Sequence, residues 1–533
     1  MARAQNQTTL EFWGWVLGAL VLRLLRVPLR LNQIAFAYAA YYEPWVAAVQ
    51  HDPMRGWLHF VGLHPPLYSA VASVLIQAGG APLGLLLFSG LCSSLAVGLL
   101  FRLGLTLEGR GLGRRLALLG LVSVYLLHYG LEINNYPLLL LLGTWQQLSF
   151  VKWWFKKEDV NSVFLIISSI LCAYTHILAG GLIALQLAWS LLVLPVGEGG
   201  GRWKRRLLQL SPFGAIGVAC VPLLVQIFSL VGRSSTYQNG EQPVWSLLLQ
   251  HLSGGSTRFG GGLVLLLAGV LAGVGLLRVL VEPVLRRRGL ALLPSVGLLP
   301  LLWMLMGKGV AAAHQYPYYL LPLPGLLALV ALGVSGGRSV FQAGASLNVH
   351  AWRRVGVAGG MGLAFGLLIS AQTVYGMAEL RDAWGTWRQF HAQAHGMHTL
   401  MHTRAKPEVL WLIAPPRYED DDKRAFDPVY TELSWFTPCY YYQPADWTFE
   451  YVDYRFGQPY TCGNQVLYTF TEVYSTTLPQ LLAHHRRLHQ TVTILLYDVA
   501  DAAEYPRRLK LMLEGLPHHC ETIHQTLLCE VKP

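Results

Sequence analysis

The sequence predicts a polytopic α-helical membrane protein with an α/β domain at its C-terminal end, and two observations support this prediction. The chain of 533 residues is 53% hydrophobic and 13% charged, with a mean hydropathy of +0.40, which lies outside the soluble globular range. The charge is divided: residues 1–374 hold 26 Lys and Arg against 10 Asp and Glu, a net of +16, whereas residues 375–533 hold 14 against 19, a net of −5. The overall +11 therefore indicates basic membrane loops and not a nucleic-acid-binding protein.

Apolar runs long enough to cross a bilayer recur throughout the first part of the chain, since about 20 apolar residues span a core of about 30 Å. They predict about eleven transmembrane helices, at 11–28, 83–101, 115–131, 135–154, 162–177, 179–196, 210–231, 260–281, 291–307, 316–335 and 355–374. We therefore divide the chain into a membrane domain, residues 1–374, with an outer loop at 28–82, and an outer domain, residues 375–533.

The distribution of basic residues predicts the orientation. The connections on one side, at 102–115, 152–160, 197–209, 278–289 and 336–354, together hold 18 Lys and Arg. The opposite short loops hold five, which are Arg30, Arg55, Arg233, Arg258 and Lys308. By the positive-inside rule the N-terminus is cytoplasmic and the tail is outside. If segment 65–79 crossed the membrane, the basic loop at 110–115 would face outward, so we predict that 65–79 lies along the outer surface.

Three arginines are exceptions to the positive-inside rule. Arg23, Arg26 and Arg30 gather at the outer end of the first predicted helix, where basic residues are not expected. They could meet an anionic ligand or a lipid phosphate, or they could simply extend to the membrane surface. The sequence leaves both interpretations open.

The tail has the alternating pattern of a small α/β domain. Segments 408–416, 492–501 and 524–533 are typical of strands, and a helical pattern follows the second of them. The tail holds four cysteines in a space that permits disulfides, and closeness in sequence favours the pairs Cys439–Cys462 and Cys520–Cys529 among the three pairings available. The other cysteines lie inside apolar runs and are predicted to be small core residues.

The outer loop 28–82 holds the first candidate functional residues. Glu43 and Asp52 are carboxylates beside apolar segments at membrane level, where ionised groups are costly and often functional. Either could act as a general base toward a hydroxyl group, or both could be solvated loop acids. The motif HPPLY adds His64, which can donate to an oxyanion, and Tyr68, while its two prolines are typical of a helix start.

Two further outer segments supply polar groups between predicted helices. In HYGLEINNYP, Glu132 and Tyr136 lie four residues apart, so we expect them to share one face of a helix. His176 ends the next helix that runs outward. It could serve a ligand, or it could be a core histidine that a neighbouring helix satisfies.

The remaining candidates lie in the outer loops toward the C-terminal half of the membrane domain, where cations are not needed for topology. Such groups suit a phosphate that arrives in the membrane, although Arg258 could equally contact lipid headgroups. They are His251, Arg258, Lys308, His314 and Tyr316. All the candidate clusters are predicted to emerge on one side, which indicates a shared cavity at the outer bilayer surface.

At these residues the chain resembles the GT-C superfamily of polyprenyl-phosphate-sugar glycosyltransferases, and in particular bacterial protein O-mannosyltransferases and aminoarabinose transferases. The resemblance lies in an early acid, Glu43, and in four motifs: HPPLY at 64–68, YGLEINNYPLLLLL at 129–142, THILAG at 175–180 and the KG…YPYYLLPLP stretch at 308–324. It covers the first seven predicted helices well and extends loosely to about residue 335.

The resemblance implies a fold, a reaction and roles for single residues. Glu43 would be the catalytic base, and His64, His251, Arg258 and Lys308 would contact the phosphate of a polyprenyl-phosphate sugar donor. The acceptor would be a hydroxyl of a lipid, glycan or protein. Three positions depart from the family pattern, because Tyr42 precedes Glu43 in place of a second acid, Asn134 replaces an arginine, and His64 stands where some relatives have lysine.

The resemblance also implies a bacterial inner membrane location and no required cofactor. A divalent metal could assist, but no ligand motif supports one. Three other classes remain as alternatives: a transporter or flippase of lipid-linked glycans, a polymerase or ligase of surface glycans that shares the lipid-phosphate donor, and an inactive relative that acts as a scaffold. A transporter predicts internal repeats and charged residues at broken helices near the midplane, and no clear repeat is present.

Overall fold

The structure is a computed structural model, and it falls into two compact units, Met1–Leu31 with Pro44–Arg381 and Asn32–Glu43 with Asp382–Pro533. It describes residues 2–27, 49, 65–78, 83–156, 158–193, 202–231, 261–298, 320–343, 359–378, 380–381, 384, 409–414, 460–462, 465–469, 491–496, 513–523 and 526–532. The boundary at 374/375 that the sequence predicts between the two domains stays a prediction.

The first unit is helical in the part that the structure describes. Its helices are α1 Ala2–Leu24, α2 Pro66–Gln77, α3 Leu83–Leu107, α4 Arg110–Val122, α5 Val124–Tyr129, α6 Tyr136–Lys156, α7 Asp159–Ala173, α8 Leu178–Val193, α9 Arg202–Val231, α10 Gly261–Val281, α11 Pro283–Gly289, α12 Leu323–Ala343 and α13 Gly359–Ala378. As the HPPLY motif predicts, α2 begins at Pro66, after an extended Pro65.

Several of these helices are long and apolar enough to cross a membrane. Among the described residues, Leu83–Leu107, Gln209–Gln226 and Gly359–Ala378 meet that condition, and Leu265–Val281 with Pro283–Leu298 forms a fourth, bent by 110°. The protein is therefore a polytopic membrane protein, whereas the count of eleven helices stays a prediction. The 12 residues of α2 reach only about 18 Å, too short to cross the hydrocarbon core.

Glycine allows close helix contacts at two crossings. A Cβ atom on Gly104 of α3 would lie 2.7 Å from the Gly113 backbone of α4, so these helices touch along their main chains. In the same way, a Cβ on Gly275 of α10 would overlap the Leu329 carbonyl of α12, and one on Gly333 would overlap the Leu271 carbonyl. Small residues at crossings are the usual way for membrane helices to gain packing contacts.

Ion pairs join the helix ends at one end of the first unit. Arg114 at the start of α4 binds the Glu11 carboxylate of α1 at 2.6 Å. Arg278 of α10 is buried between two carboxylates, those of Glu108 and Glu282, each at 2.7 Å. The start of α1 and the ends of α3 and α10 therefore lie together. This agrees with the sequence prediction that the N-terminus and the loops at 102–115 and 278–289 are on the same side of the membrane.

The second unit contains a six-stranded mixed sheet. Its strands are β1 Val409–Ala414, β2 Tyr460–Cys462, β3 Gln465–Thr469, β4 Thr491–Leu496, β5 His518–Ile523 and β6 Thr526–Val531, in the order β2-β3-β1-β4-β6-β5. Strands occur in all three segments for which the sequence predicts them. The predicted helix after the second of these segments, and the location of this unit outside the cell, stay predictions.

The cysteines agree with the sequence prediction where they are described. Cys520 and Cys529 face each other in the β5–β6 pairing and form a disulfide, which confirms that pair. Cys439 lies outside the described residues, so the pair Cys439–Cys462 stays a prediction. Three further cysteines are free and sit in helices, with Cys92 and Cys172 buried and Cys220 half-buried.

Candidate functional site

Four of the predicted site residues lie within the described part of the chain. The structure brings Tyr68, Glu132, Tyr136 and His176 into one polar cluster around the first turns of α3. Eight others lie outside the described residues, so their roles stay predictions: Glu43, Asp52, His64, His251, Arg258, Lys308, His314 and Tyr316.

The Glu132 carboxylate is held by its own segment. This segment, residues 130–135, is a turn and not a helix, so the predicted one-turn spacing of Glu132 and Tyr136 is wrong. Asn134 links the two residues instead: its side-chain nitrogen donates to Glu132 Oε2 at 2.6 Å, and its Oδ1 accepts from the Tyr136 backbone N–H at 2.9 Å. Asn134 thus forms an Asx turn just before α6 and caps it in the sense that it satisfies the first N–H of the helix, which has no intrahelical partner. His128 approaches the other carboxylate oxygen at 3.6 Å.

The next residues tie this turn to the start of α8. The buried Asn135 side chain donates to the Thr175 carbonyl oxygen at 3.1 Å, and the Tyr136 ring lies 6.4 Å from the His176 ring. His176 Nδ1 accepts from the Leu178 backbone N–H at 3.2 Å. A neutral His176 therefore carries its proton on Nε2, while its Nδ1 accepts from the first residue of α8, so its role toward a ligand stays a prediction.

Tyr68 closes the cluster from α2. The start of α2 is fixed by a hydrogen bond from the Leu67 N–H to the Tyr174 carbonyl at 3.0 Å. Tyr68 is fully buried beside Ser89 and Cys92 of α3, and Glu132 acts on it electrostatically. Burial above all, and then Cys92, raise the pKa of Tyr68, so its hydroxyl stays protonated and can serve only in hydrogen bonding.

A buried arginine bonds to α3 one turn beyond the residue that contacts the Glu132 segment. Arg23, near the end of α1, donates from Nε to Ser93 Oγ at 2.5 Å, while Ser89, one turn earlier, donates to the Glu132 carbonyl at 2.9 Å. Ser93 also packs on Gly130, where a Cβ would lie 2.9 Å from the Ser93 Cβ. Our site prediction omitted Arg23, although its unexpected position at the outer end of α1 signalled it.

The cluster provides hydrogen-bonding groups for a ligand, but it does not provide a carboxylate that is available as a general base. The Glu132 carboxylate already interacts with Asn134 and His128, so it is a held acceptor that could orient a hydroxyl. The guanidinium of Arg23 is a donor for an oxyanion. Among the described residues, no three His, Cys, Asp or Glu side chains gather closely enough to hold a metal ion.

The apolar helices, with a polar cluster among them, define the class of protein as a polytopic membrane protein. No protein-family model matches the chain, and no curated protein matches its sequence. The structure nevertheless matches that of the aminoarabinose transferase ArnT from Cupriavidus metallidurans without ligand, with a TM-score of 0.54 at 12% identity, over 99% of this chain and 98% of that one.

A second ArnT structure agrees with the first. In its complex with undecaprenyl phosphate, ArnT from the same organism matches with a TM-score of 0.51 at 12% identity over 97% of each chain. The archaeal oligosaccharyltransferase AglB from Archaeoglobus fulgidus, in complex with an inhibitory peptide and a dolichol-phosphate, reaches only 0.42. The two ArnT matches show that this chain has the fold of ArnT, which is the fold that the sequence resemblance predicts.

Proposed function

We propose that the protein is an integral membrane glycosyltransferase that moves a sugar from a polyprenyl-phosphate-linked donor to an acceptor hydroxyl. One observation supports this most strongly: the chain matches ArnT over nearly the full length of both proteins, including ArnT in its undecaprenyl-phosphate-bound structure. A fold alone hosts many functions, so the proposal also depends on the polar cluster around α3.

The proposed reaction is a single displacement with inversion. Glu43 takes the proton of the acceptor hydroxyl as its oxygen forms a bond to the anomeric carbon. The bond from that carbon to the phosphate oxygen breaks, and polyprenyl phosphate leaves with the electron pair. Asp52 assists on the acceptor side. Phosphate contacts are assigned to His64, His251, Arg258, Lys308, His314 and Tyr316.

The described cluster has a supporting part in this reaction. Tyr68, Glu132, Tyr136 and His176 form the wall of the proposed donor site, where hydrogen bonds to Glu132 and Tyr136 orient the sugar. The mechanism needs no cofactor, and no ligand motif supports a metal. Asn134 stands where the resembled family has arginine, but it stabilises the Glu132 turn, so its presence does not favour an inactive scaffold.

We infer the orientation from the charge distribution, since the basic loops favour a cytoplasmic N-terminus and an extracytoplasmic C-terminal unit. The resemblance to bacterial enzymes adds the inner membrane of a bacterium, where the proposed donor and acceptor would meet. A transporter or flippase is less well supported, since Arg278 at the bent helix pair donates to the carboxylates of both Glu282 and Glu108. These charged groups therefore do not form an open ion site of the kind that broken helices offer.

The proposal is tested by following sugar transfer in membranes that contain the protein. Membranes are incubated with labelled polyprenyl-phosphate sugars, and the Glu43→Gln variant is compared with the wild type. We expect the substitution to lower the transfer rate about 100-fold or more, because a general base contributes roughly that much.

The matched control is Glu158→Gln, which removes an exposed carboxylate paired with Lys156. Its transfer rate should equal that of the wild type. Full activity of Glu43→Gln would remove the assignment of the base, and a wild type that transfers no polyprenyl-linked sugar would contradict the function itself.

A further inference from the structure

The Arg23 guanidinium is buried with one of its nitrogens unused. The side chain has no solvent exposure. Nε donates to Ser93 Oγ at 2.5 Å, and Nη1 donates to the Ala19 carbonyl at 3.1 Å. Nη2 is buried as well and finds no hydrogen-bond acceptor among the described residues. The two N–H donors of Nη2 are therefore left over.

A second positive charge lies next to this one. Arg26 follows three residues later, is also almost fully buried, and repels the Arg23 charge. Arginine does not lose its proton in proteins, and an uncompensated buried charge is strongly destabilising. Because no described carboxylate pairs with Arg23, the charge of Arg23 requires an anion from elsewhere.

Extension to the membrane surface does not explain this arrangement. A side chain that reached for the surface would leave α1 at its nearby end, beyond Leu24. Arg23 instead turns back by one helical turn, to the carbonyl of Ala19. Ser93 fixes it there, since its hydroxyl accepts from Nε while it donates to the Gly90 carbonyl at 3.1 Å.

We propose that Arg23 and Arg26 form a binding site for the phosphate group of a membrane lipid, with Ser93 as the positioning residue for the guanidinium. Guanidinium donors match phosphate oxygens in geometry and charge. A lipid is the source that fits, because the exposed neighbours of Arg23, at the end of α1 and just after it, are all aliphatic: Val21, Leu22, Leu24 and Leu25. If this lipid is the sugar donor, the inference rests on the proposed function. Arg23 would then supply the positive charge that is missing at position 134, where this chain has asparagine and the resembled family has arginine.

The site is tested by binding in detergent, with thermal unfolding as a second readout. The full-length protein is titrated separately with undecaprenyl phosphate, the phosphate-free alcohol undecaprenol, phosphatidylglycerol and inorganic phosphate. The variant Arg23→Met keeps the volume but removes the charge, and Arg110→Gln is the matched control, since Arg110 contacts the other end of α1 through Gln7 and Glu11.

We expect Arg23→Met to weaken binding of undecaprenyl phosphate about 10- to 100-fold, the usual effect of losing a charged hydrogen bond. Binding of undecaprenol and the behaviour of Arg110→Gln should stay unchanged. Without lipid, the variant should unfold at the same temperature as the wild type or higher, because it removes an uncompensated charge. Arg26→Met should weaken binding in the same direction.

Other outcomes identify the source or refute the site. Dependence on Arg23 for phosphatidylglycerol alone supports a headgroup site, and dependence for inorganic phosphate alone refutes a lipid site. Equal binding of all probes by wild type and Arg23→Met, with a less stable variant, shows a purely structural arginine and overturns the proposal. Arg23-dependent lipid binding in a protein that transfers no sugar would refute the proposed function while leaving this site intact.

Discussion

The side chain of Asn134 stabilises two neighbouring features of the polar cluster. Its side chain both caps α6 and fixes the Glu132 carboxylate. We expect Asn134→Ala to lower the free energy of unfolding by about 1 kcal/mol, the usual value of a helix cap. Thermal unfolding in detergent measures the loss.

Asn134→Ser is the matched control, because serine also accepts hydrogen bonds at helix starts but does not reach Glu132. It should recover most of the stability and none of the contact with Glu132. If alanine and serine destabilise the protein equally, Asn134 is not a cap in the sense described.

At the scale of single residues, the sequence indicated which residues matter but not the local structure or the tertiary contacts around them. The spacing of Glu132 and Tyr136 suggested a shared helix face, yet the intervening Asn134 ends the turn locally and starts a new helix. The burial of Arg23 depends on Ser93, 70 residues away. A tertiary contact of that range leaves no local pattern in the sequence, so only the unexpected position of the arginine could indicate it.

At the scale of elements, the glycines of α10 and α12 make a strong prediction. Gly275→Ala should destabilise the protein by about 1–3 kcal/mol or more, because its Cβ would overlap a backbone carbonyl, which cannot move aside as a side chain can. Gly273→Ala on the same helix is the control, since a Cβ there meets nothing within 4 Å. Thermal unfolding in detergent compares the two. Equal stability would show that the helices do not cross this closely.

Helices and strands were more predictable than their ends. The apolar runs at 83–101 and 260–281 became α3 and α10, because the pattern that spans a bilayer also forms a helix. The predicted span 115–131 is divided at Ser123, whose hydroxyl accepts from the Leu126 N–H at 3.4 Å and begins α5. A single serine in an apolar run gives little warning of such a break.

At the scale of the whole molecule, the fold is retained although the sequence has changed almost completely. ArnT shares 12% of its residues with this chain but nearly its full length. What the comparison shows the two to share is therefore the fold, and not the identity of most residues. The polar cluster depends on particular contacts, and its members outside the described residues therefore stay predictions from the sequence.

The two ends of α3 make the orientation testable in one experiment. Gln77 precedes this helix and Gly111 follows it, and 25 helical residues separate its ends by about 37 Å. Both positions are exposed.

A membrane-impermeant maleimide should label Gln77→Cys in cells whose outer membrane is opened, whereas Gly111→Cys should react only after the inner membrane is permeabilised. Peptide mass mapping locates the label, so the native cysteines do not interfere. Labelling of Gly111→Cys from outside would reverse the predicted topology, because the ion pair between Arg114 and Glu11 places the start of α1 at the same end as the basic loop.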